Sequence, residues 1–278
     1  MNPVVLLLAL TPLTASEPAV TPDVVYGHKA GMALTYDVLR PGEANGAGVL
    51  FLVSGGWFSF YFDPHSATAL PGMGSRFQAL LDAGFTLYLV RHGSAPWFKV
   101  PEAVGDVERA IRHIRAHAAE HEVDPERLGV MGDSAGGHLS LMLGTRGEDG
   151  RETSRRPEVR AGSRVRAVVA SFPPVDLRGI VGPSDSFPAL DFDSDRAAAV
   201  SPVLHATDDD APALLLHGDR DRLVRLRQSE LMKAALEEVD VDVELIVFEG
   251  AGHGFQGEQA RRATAATVDW FRKYLSVD

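Results

Sequence analysis

Six short apolar runs alternate with amphipathic stretches along this chain. The alternation predicts an α/β protein on a mostly parallel, doubly wound sheet with helices on both faces. Two further observations support that class. A pair of strand-like runs near the start predicts an antiparallel hairpin. The chain has 278 residues, 45% hydrophobic and 23% charged, with no repeat and no low-complexity tract. That is ordinary globular composition, with enough length to bury about three quarters of the unfolded surface.

The elements follow in order. Residues 24–39 hold two strand-like runs flanking His28-Lys29-Ala30-Gly31, the expected hairpin. The later strand candidates are 48–53 (GVLFLV), 85–90 (FTLYLV), 128–131 (LGVM), 165–170 (VRAVVA), 213–217 (ALLLH) and 243–248 (VELIVF). They are apolar nearly throughout, as strands buried on both faces must be. Helix candidates lie between them. Residues 75–83 end at Gly84, a suitable stop. Residues 101–121 carry Val104, Val107, Ile111 and Ile114 at helical spacing. Further helices are expected to begin near Ser134, Leu226 and Glu258.

Nothing in residues 24–278 reads as a linker, so they are expected to form a single domain. Two irregular stretches interrupt the alternation: 145–163 is rich in charge, and 178–207 in Pro and Asp. Segments of that length and character are expected to act as lids or binding loops. Residues 1–20 read as a secretory signal: the run VVLLLAL from Val4 to Leu10 precedes the small residues Thr14, Ala15 and Ser16. Export to the periplasm or exterior is the corresponding expectation. No apolar run reaches the 20 or so residues a membrane span needs.

Charge and cysteine usage exclude several trades. The formal net charge is -11, which repels nucleic-acid backbones. The chain has no cysteine. A cysteine nucleophile, a thiolate zinc site, an iron–sulfur cluster and a disulfide scaffold are therefore all excluded.

The chemistry concentrates after the third of those later strand candidates. Gly132-Asp133-Ser134-Ala135-Gly136 satisfies G-x-S-x-G. The pattern alone decides little, but its setting between an apolar strand and a helix is that of a nucleophile elbow. There a tight turn raises the serine hydroxyl above the sheet edge, and the helix aims its N-terminal amides at the reacting centre. At this turn neither a phosphate-loop nor a dinucleotide-binding glycine pattern is present. A serine nucleophile needs a base, and His253, in GAGHGF after the strand VELIVF, is placed to serve. The acid is expected between them in chain order. Asp221 in HGDRDRLV is the first choice, Asp219 the second and Asp176 a third. The strand GVLFLV runs into Ser54-Gly55-Gly56-Trp57. Backbone N–H groups of Gly56 and Trp57, with that of Ala135, are the candidate oxyanion hole. All these positions follow the C-terminal ends of strands, where open α/β sheets bind ligands.

Together these blocks resemble the α/β-hydrolase family, and within it the acetyl-esterase and bacterial feruloyl-esterase-like proteins. GDSAGGHL, HGDRDRLV and GAGHGF correspond to the family's three catalytic blocks, and the likeness runs from about Tyr26 to the C-terminus. The resemblance implies a Ser134–Asp221–His253 triad. It implies a serine carboxylesterase acting on short-acyl or aryl esters through an acyl-enzyme, with no metal or cofactor. The expected partner is a small-molecule ester, with carbohydrate-linked esters included. The chain departs from the family at Ser54, where the oxyanion loop usually carries histidine in HGGG or HGGW.

Weaker signals accompany these. Trp57, Phe58, Phe60, Tyr61 and Phe62 either line an acyl or aryl pocket or pack beneath a lid with Trp97 and Phe98. His113, His117 and His121 recur every four residues but lack the H-E-x-x-H pattern, so a solvated face is expected. His138 is expected to pack, and Arg155, Arg156 and Arg160 to be solvated. A serine peptidase of the same fold is the rival enzyme, and a binding protein that has lost the reaction is the rival class.

Overall fold

The computed structural model describes residues 17–276. The proposed signal at Val4 to Leu10 lies outside them. Eight strands form one sheet in the order β1-β2-β4-β3-β5-β6-β7-β8. They are β1 (Ala19–Lys29), β2 (Met32–Arg40), β3 (Gly48–Leu52), β4 (Thr86–Val90), β5 (Leu128–Asp133), β6 (Ala167–Ser171), β7 (Ala213–Gly218) and β8 (Val243–Phe248). β1 pairs antiparallel with β2, and β2 with β4; every later pairing is parallel. The hairpin closes on Ala30 and Gly31, with φ of 48° and 79°. Two successive positive φ values match the right-handed twist of the flanking strands.

Alternate side chains of each central strand go to opposite layers. Val49 and Phe51 join Phe77, Leu80 and Phe271 beneath α1 (Gly74–Asp82) and α6 (Gly257–Leu275). Leu50 and Leu52 join Val107, Ile111 and Leu139 beneath α2 (Val100–Ala116) and α3 (Ala135–Thr145), with α5 (Arg227–Glu238) in the same layer. This explains the unbroken apolar runs, since all five residues of β3 are buried. After β3 the chain turns to the α1 layer; after its neighbour β5 it turns to the α3 layer. The diverging loops open a crevice at the strand C-termini.

Three expectations require correction. β5 continues two residues beyond Met131, to Asp133. α2 ends at Ala116, not at His121; the chain continues as a short 3-10 turn, Ala118–His121, stopped by Glu122 at φ 57°. The stretch 145–163, expected to cover the site, does not. It joins the C-terminus of α3 to the N-terminus of β6, at the sheet edge opposite Ser134. There Arg112 near the end of α2 donates to Glu148 and Ser163, and the short α4 (Pro157–Arg160) lies alongside α2, sharing a cleft with Gly105, Glu108 and Arg109. Arg155, Arg156 and Arg160 lie on this remote segment. The stretch 178–207 starts beyond the C-terminal end of β6 and is held to the site's surroundings by 3-10 turns. Lys99 donates to the Pro188 carbonyl at 2.8 Å, and the Phe187 ring abuts Gly56.

Candidate active site

Ser134 stands between β5 and α3 with φ 52° and ψ -116°. A non-glycine residue there is strained, by of order 1–3 kcal/mol. The turn is held from both sides: Ser134 N–H donates to the Ser171 carbonyl, and His138 N–H to the Ser134 carbonyl, each at 2.9 Å. The turn also depends on a missing side chain. A Cβ on Gly132 would come within 2.4 Å of the Gly136 backbone.

His253 comes from the loop after β8, and its ring joins the two other predicted residues. Nδ1 lies 2.6 Å from Asp221 Oδ2, and Nε2 lies 2.9 Å from Ser134 Oγ. A carboxylate only accepts, so Nδ1 carries the proton and Nε2 is free to accept from the serine hydroxyl. The Asp221 side chain is fully buried. Its Oδ1 accepts from the N–H groups of Leu223 and Val224 at 2.9 and 3.0 Å. Phe172 covers the His253 ring, with centroids 4.5 Å apart.

The other aspartates are engaged elsewhere. Asp219 accepts from Gly250 N–H at 2.7 Å and shapes the loop that carries His253. Asp176 binds Arg178 at 2.9 and 2.7 Å.

The loop after β3 turns at Gly56 and Trp57, with φ of 56° and 60°. Gly55 and Phe58 close that turn through two reciprocal backbone bonds of 2.9 Å. Among the described residues, the N–H groups of Gly56, Trp57 and Ala135 have no acceptor. Ala135 opens α3, so its N–H also carries the positive end of the helix dipole. The aromatic segment divides. Trp57 is buried and its indole N–H donates to His138 Nδ1 at 3.2 Å, while Phe58, Phe60, Tyr61 and Trp97 are exposed. Phe98 is packed, with the Lys29 ammonium 4.5 Å from its ring. A cleft of about 200 Å³ flanks the elbow, lined by Asp133, Phe172, Gly254 and Phe255.

Three contributors escaped the sequence reading. Arg76 of α1 grips Asp133, the residue before the serine, through bonds of 2.9 and 2.6 Å. Burial works against the Asp133 charge, but the guanidinium holds the carboxyl below its usual range. His217 at the end of β7 is wholly buried. Its Nε2–H donates to the Val224 carbonyl at 2.8 Å, and its Nδ1 accepts from Ser229 at 2.7 Å, fixing the Asp221 loop. His92 follows β4 and meets Ser54. No local pattern marks Arg76 and His92, because their partners lie 57 and 38 residues away; the partners of His217 are near in sequence, and Val224 lies within HGDRDRLV itself. The three histidines His113, His117 and His121 are half-buried rather than solvated: His113 and His117 stack at 4.4 Å, His113 meets the Tyr36 hydroxyl at 3.2 Å, His117 meets Glu120 at 2.8 Å, and His121 packs against Tyr88.

This strand order, with a serine at the β5–α3 turn and a histidine after β8, defines the α/β-hydrolase fold. Within that class the chain belongs to the BD-FAE family, whose model matches residues 37–236. It is 29% identical to the probable carboxylic ester hydrolase LipM of Mycobacterium tuberculosis, across 74% of this chain and 49% of the relative. It is 27% identical to an ethyl acetate hydrolase of Pseudomonas putida, across 94% of this chain and 85% of that one. Among solved structures, a truncated carbohydrate esterase from gut microbiota superposes with a TM-score of 0.75 at 26% identity, covering 95% of this chain and 99% of that one. The chain spans between about half and three fifths of the length of LipM and of two further esterases of the same organism, LipC and LipQ.

Proposed function

We propose that this protein hydrolyses carboxylic esters through an acyl-enzyme on Ser134. The observation that carries the reading is the single imidazole of His253 bridging Asp221 at 2.6 Å and Ser134 at 2.9 Å. His253 Nε2 takes the hydroxyl proton as Oγ attacks the ester carbonyl. Asp221 holds the ring in the required tautomer and stabilises its charged form. The carbonyl oxygen becomes an oxyanion facing the N–H groups of Gly56, Trp57 and Ala135. Collapse breaks the C–O bond, and the imidazolium returns its proton to the leaving alcohol. Water, activated by the same imidazole, then releases the acid and regenerates Ser134. No step calls for a metal or cofactor.

The substrates are small esters of short-acyl or aryl acids, with carbohydrate-linked esters among them. The exposed Phe58, Phe60, Tyr61 and Trp97 on and beside the oxyanion loop favour a flat or ring-bearing substrate. The printed names of the relatives, an ethyl acetate hydrolase and a carbohydrate esterase, support the same range. A panel of acetyl, butyryl, octanoyl and feruloyl esters beside a peptide amide tests it. Ester turnover abolished by Ser134→Ala is expected. Amide cleavage exceeding ester cleavage would favour a peptidase instead.

A further inference from the structure

Ser54 stands where related oxyanion loops carry histidine, yet a histidine is still there in space. It arrives from the adjacent strand. His92, two residues past the end of β4, places Nε2 2.8 Å from Ser54 Oγ, with only 4% and 8% of the two residues exposed. The proton positions follow from the partners. His92 Nδ1 lies 2.9 Å from the Gly93 carbonyl, which only accepts, so Nδ1 carries the hydrogen. Nε2 is then a lone pair, and Ser54 must donate its hydroxyl hydrogen to it. The ring is neutral, as its burial requires; desolvation lowers its pKa below the ordinary histidine value.

The contact belongs to a seam between the oxyanion loop and the chain after β4. Val53 N–H donates to the Val90 carbonyl at 2.9 Å, and Ala95 N–H to the Trp57 carbonyl at 3.1 Å. His92 N–H donates to Ser59 Oγ at 3.2 Å, and Ser59 Oγ to the Val53 carbonyl at 2.8 Å. The Ser54–His92 bond sits inside this seam, one residue removed from Gly56 and Trp57, the two at positive φ. A loop with Trp57 at φ 60° keeps its shape only if its surroundings over-determine it.

We propose that His92 is a positioning residue that holds the oxyanion loop through Ser54 from the chain after β4. The inference rests on the esterase reading above. His92 touches no reacting atom. It fixes the Ser54 hydroxyl, and thereby the direction of the Gly56 and Trp57 N–H groups, which matter most once the oxyanion has formed.

The test is steady-state kinetics on a short-acyl ester, normalised by active-site titration so that misfolded protein does not count. His92→Leu is expected to lower kcat by about 10- to 100-fold with KM within about twofold, somewhat less than the loss of a whole oxyanion donor. Ser54→Ala should do the same. The double variant should be no slower than the slower single one, because both substitutions remove one bond. His92→Gln, whose amide oxygen can accept from Ser54, should recover most of the rate. Additive losses in the double variant, kcat of His92→Leu within twofold of wild type, or a loss confined to KM would each overturn the proposal. A wild-type protein that turns over no ester would instead overturn the esterase reading itself.

Discussion

Arg76 and Asp133 form a two-bond ion pair directly behind the nucleophile turn, at 2.9 and 2.6 Å. It ties α1, on one face of the sheet, to the residue that precedes Ser134. The Arg76 side chain is 10% exposed and that of Asp133 27%, so water screens the pair only in part. Removing Arg76 alone leaves a carboxylate without its partner. Arg76→Met is expected to cost about 2–4 kcal/mol in denaturant unfolding. Pairing it with Asp133→Leu should recover part of that loss, because the unpaired charge is gone. A single variant as stable as wild type would show that the elbow does not depend on this pair.

The nucleophile turn makes a steric prediction. Gly132→Ala would drive its Cβ to 2.4 Å from the Gly136 backbone, where no side chain can move aside. We expect a loss of about 2–3 kcal/mol or failure to fold, measured by thermal unfolding. An alanine variant of wild-type stability and activity would contradict the packing described for the elbow.

Acid should weaken the protein through its buried histidines. His138 is pushed down to about 4 by burial, which outweighs the hydrogen bond to the Val200 carbonyl. Burial lowers His92 and His217 as well. Each takes up a proton near pH 6.5 when unfolded but only at lower pH when folded. Their contribution is therefore complete above pH 6.5 and is lost as pH falls through the folded values. His138 alone accounts for about 3 kcal/mol across pH 6.5 to 4. Urea midpoints measured over that range should fall steadily, and His138→Asn should flatten the slope. Parallel slopes for the two proteins would remove His138 from the account.

Much of this was readable in the chain. Strands β3 to β7 are apolar runs because both faces of the sheet are covered there, whereas the edge strand β8 is apolar yet mostly half-buried or exposed, and Ser134, Asp221 and His253 each sit in a local motif after such a run. Boundaries moved where tertiary contacts overrode local pattern, as where the backbone leaves the helix at His117 and α2 closes early. The stretch 145–163 departs from expectation because charge and irregularity cannot say which edge of the sheet a loop occupies; topology does. Arg76 and His92 are illegible for a related reason: each acts through a partner brought near only by folding.

The exposed aromatics predict selectivity and little stability. Trp97 is 83% exposed, two residues beyond Ala95, whose N–H binds the Trp57 carbonyl. Trp97→Ala should leave thermal unfolding unchanged. It should raise KM for a feruloyl ester by about two- to tenfold over that for an acetyl ester, the worth of one aromatic contact. Equal effects on both esters would take Trp97 out of the substrate site.

The nucleophile itself is open to direct test. A fluorophosphonate probe should phosphonylate the wild-type protein once per chain, on Ser134, with ester hydrolysis lost in proportion to labelling. Ser134→Ala should neither label nor hydrolyse. Labelling at another residue, or an alanine variant as active as wild type, would contradict the triad.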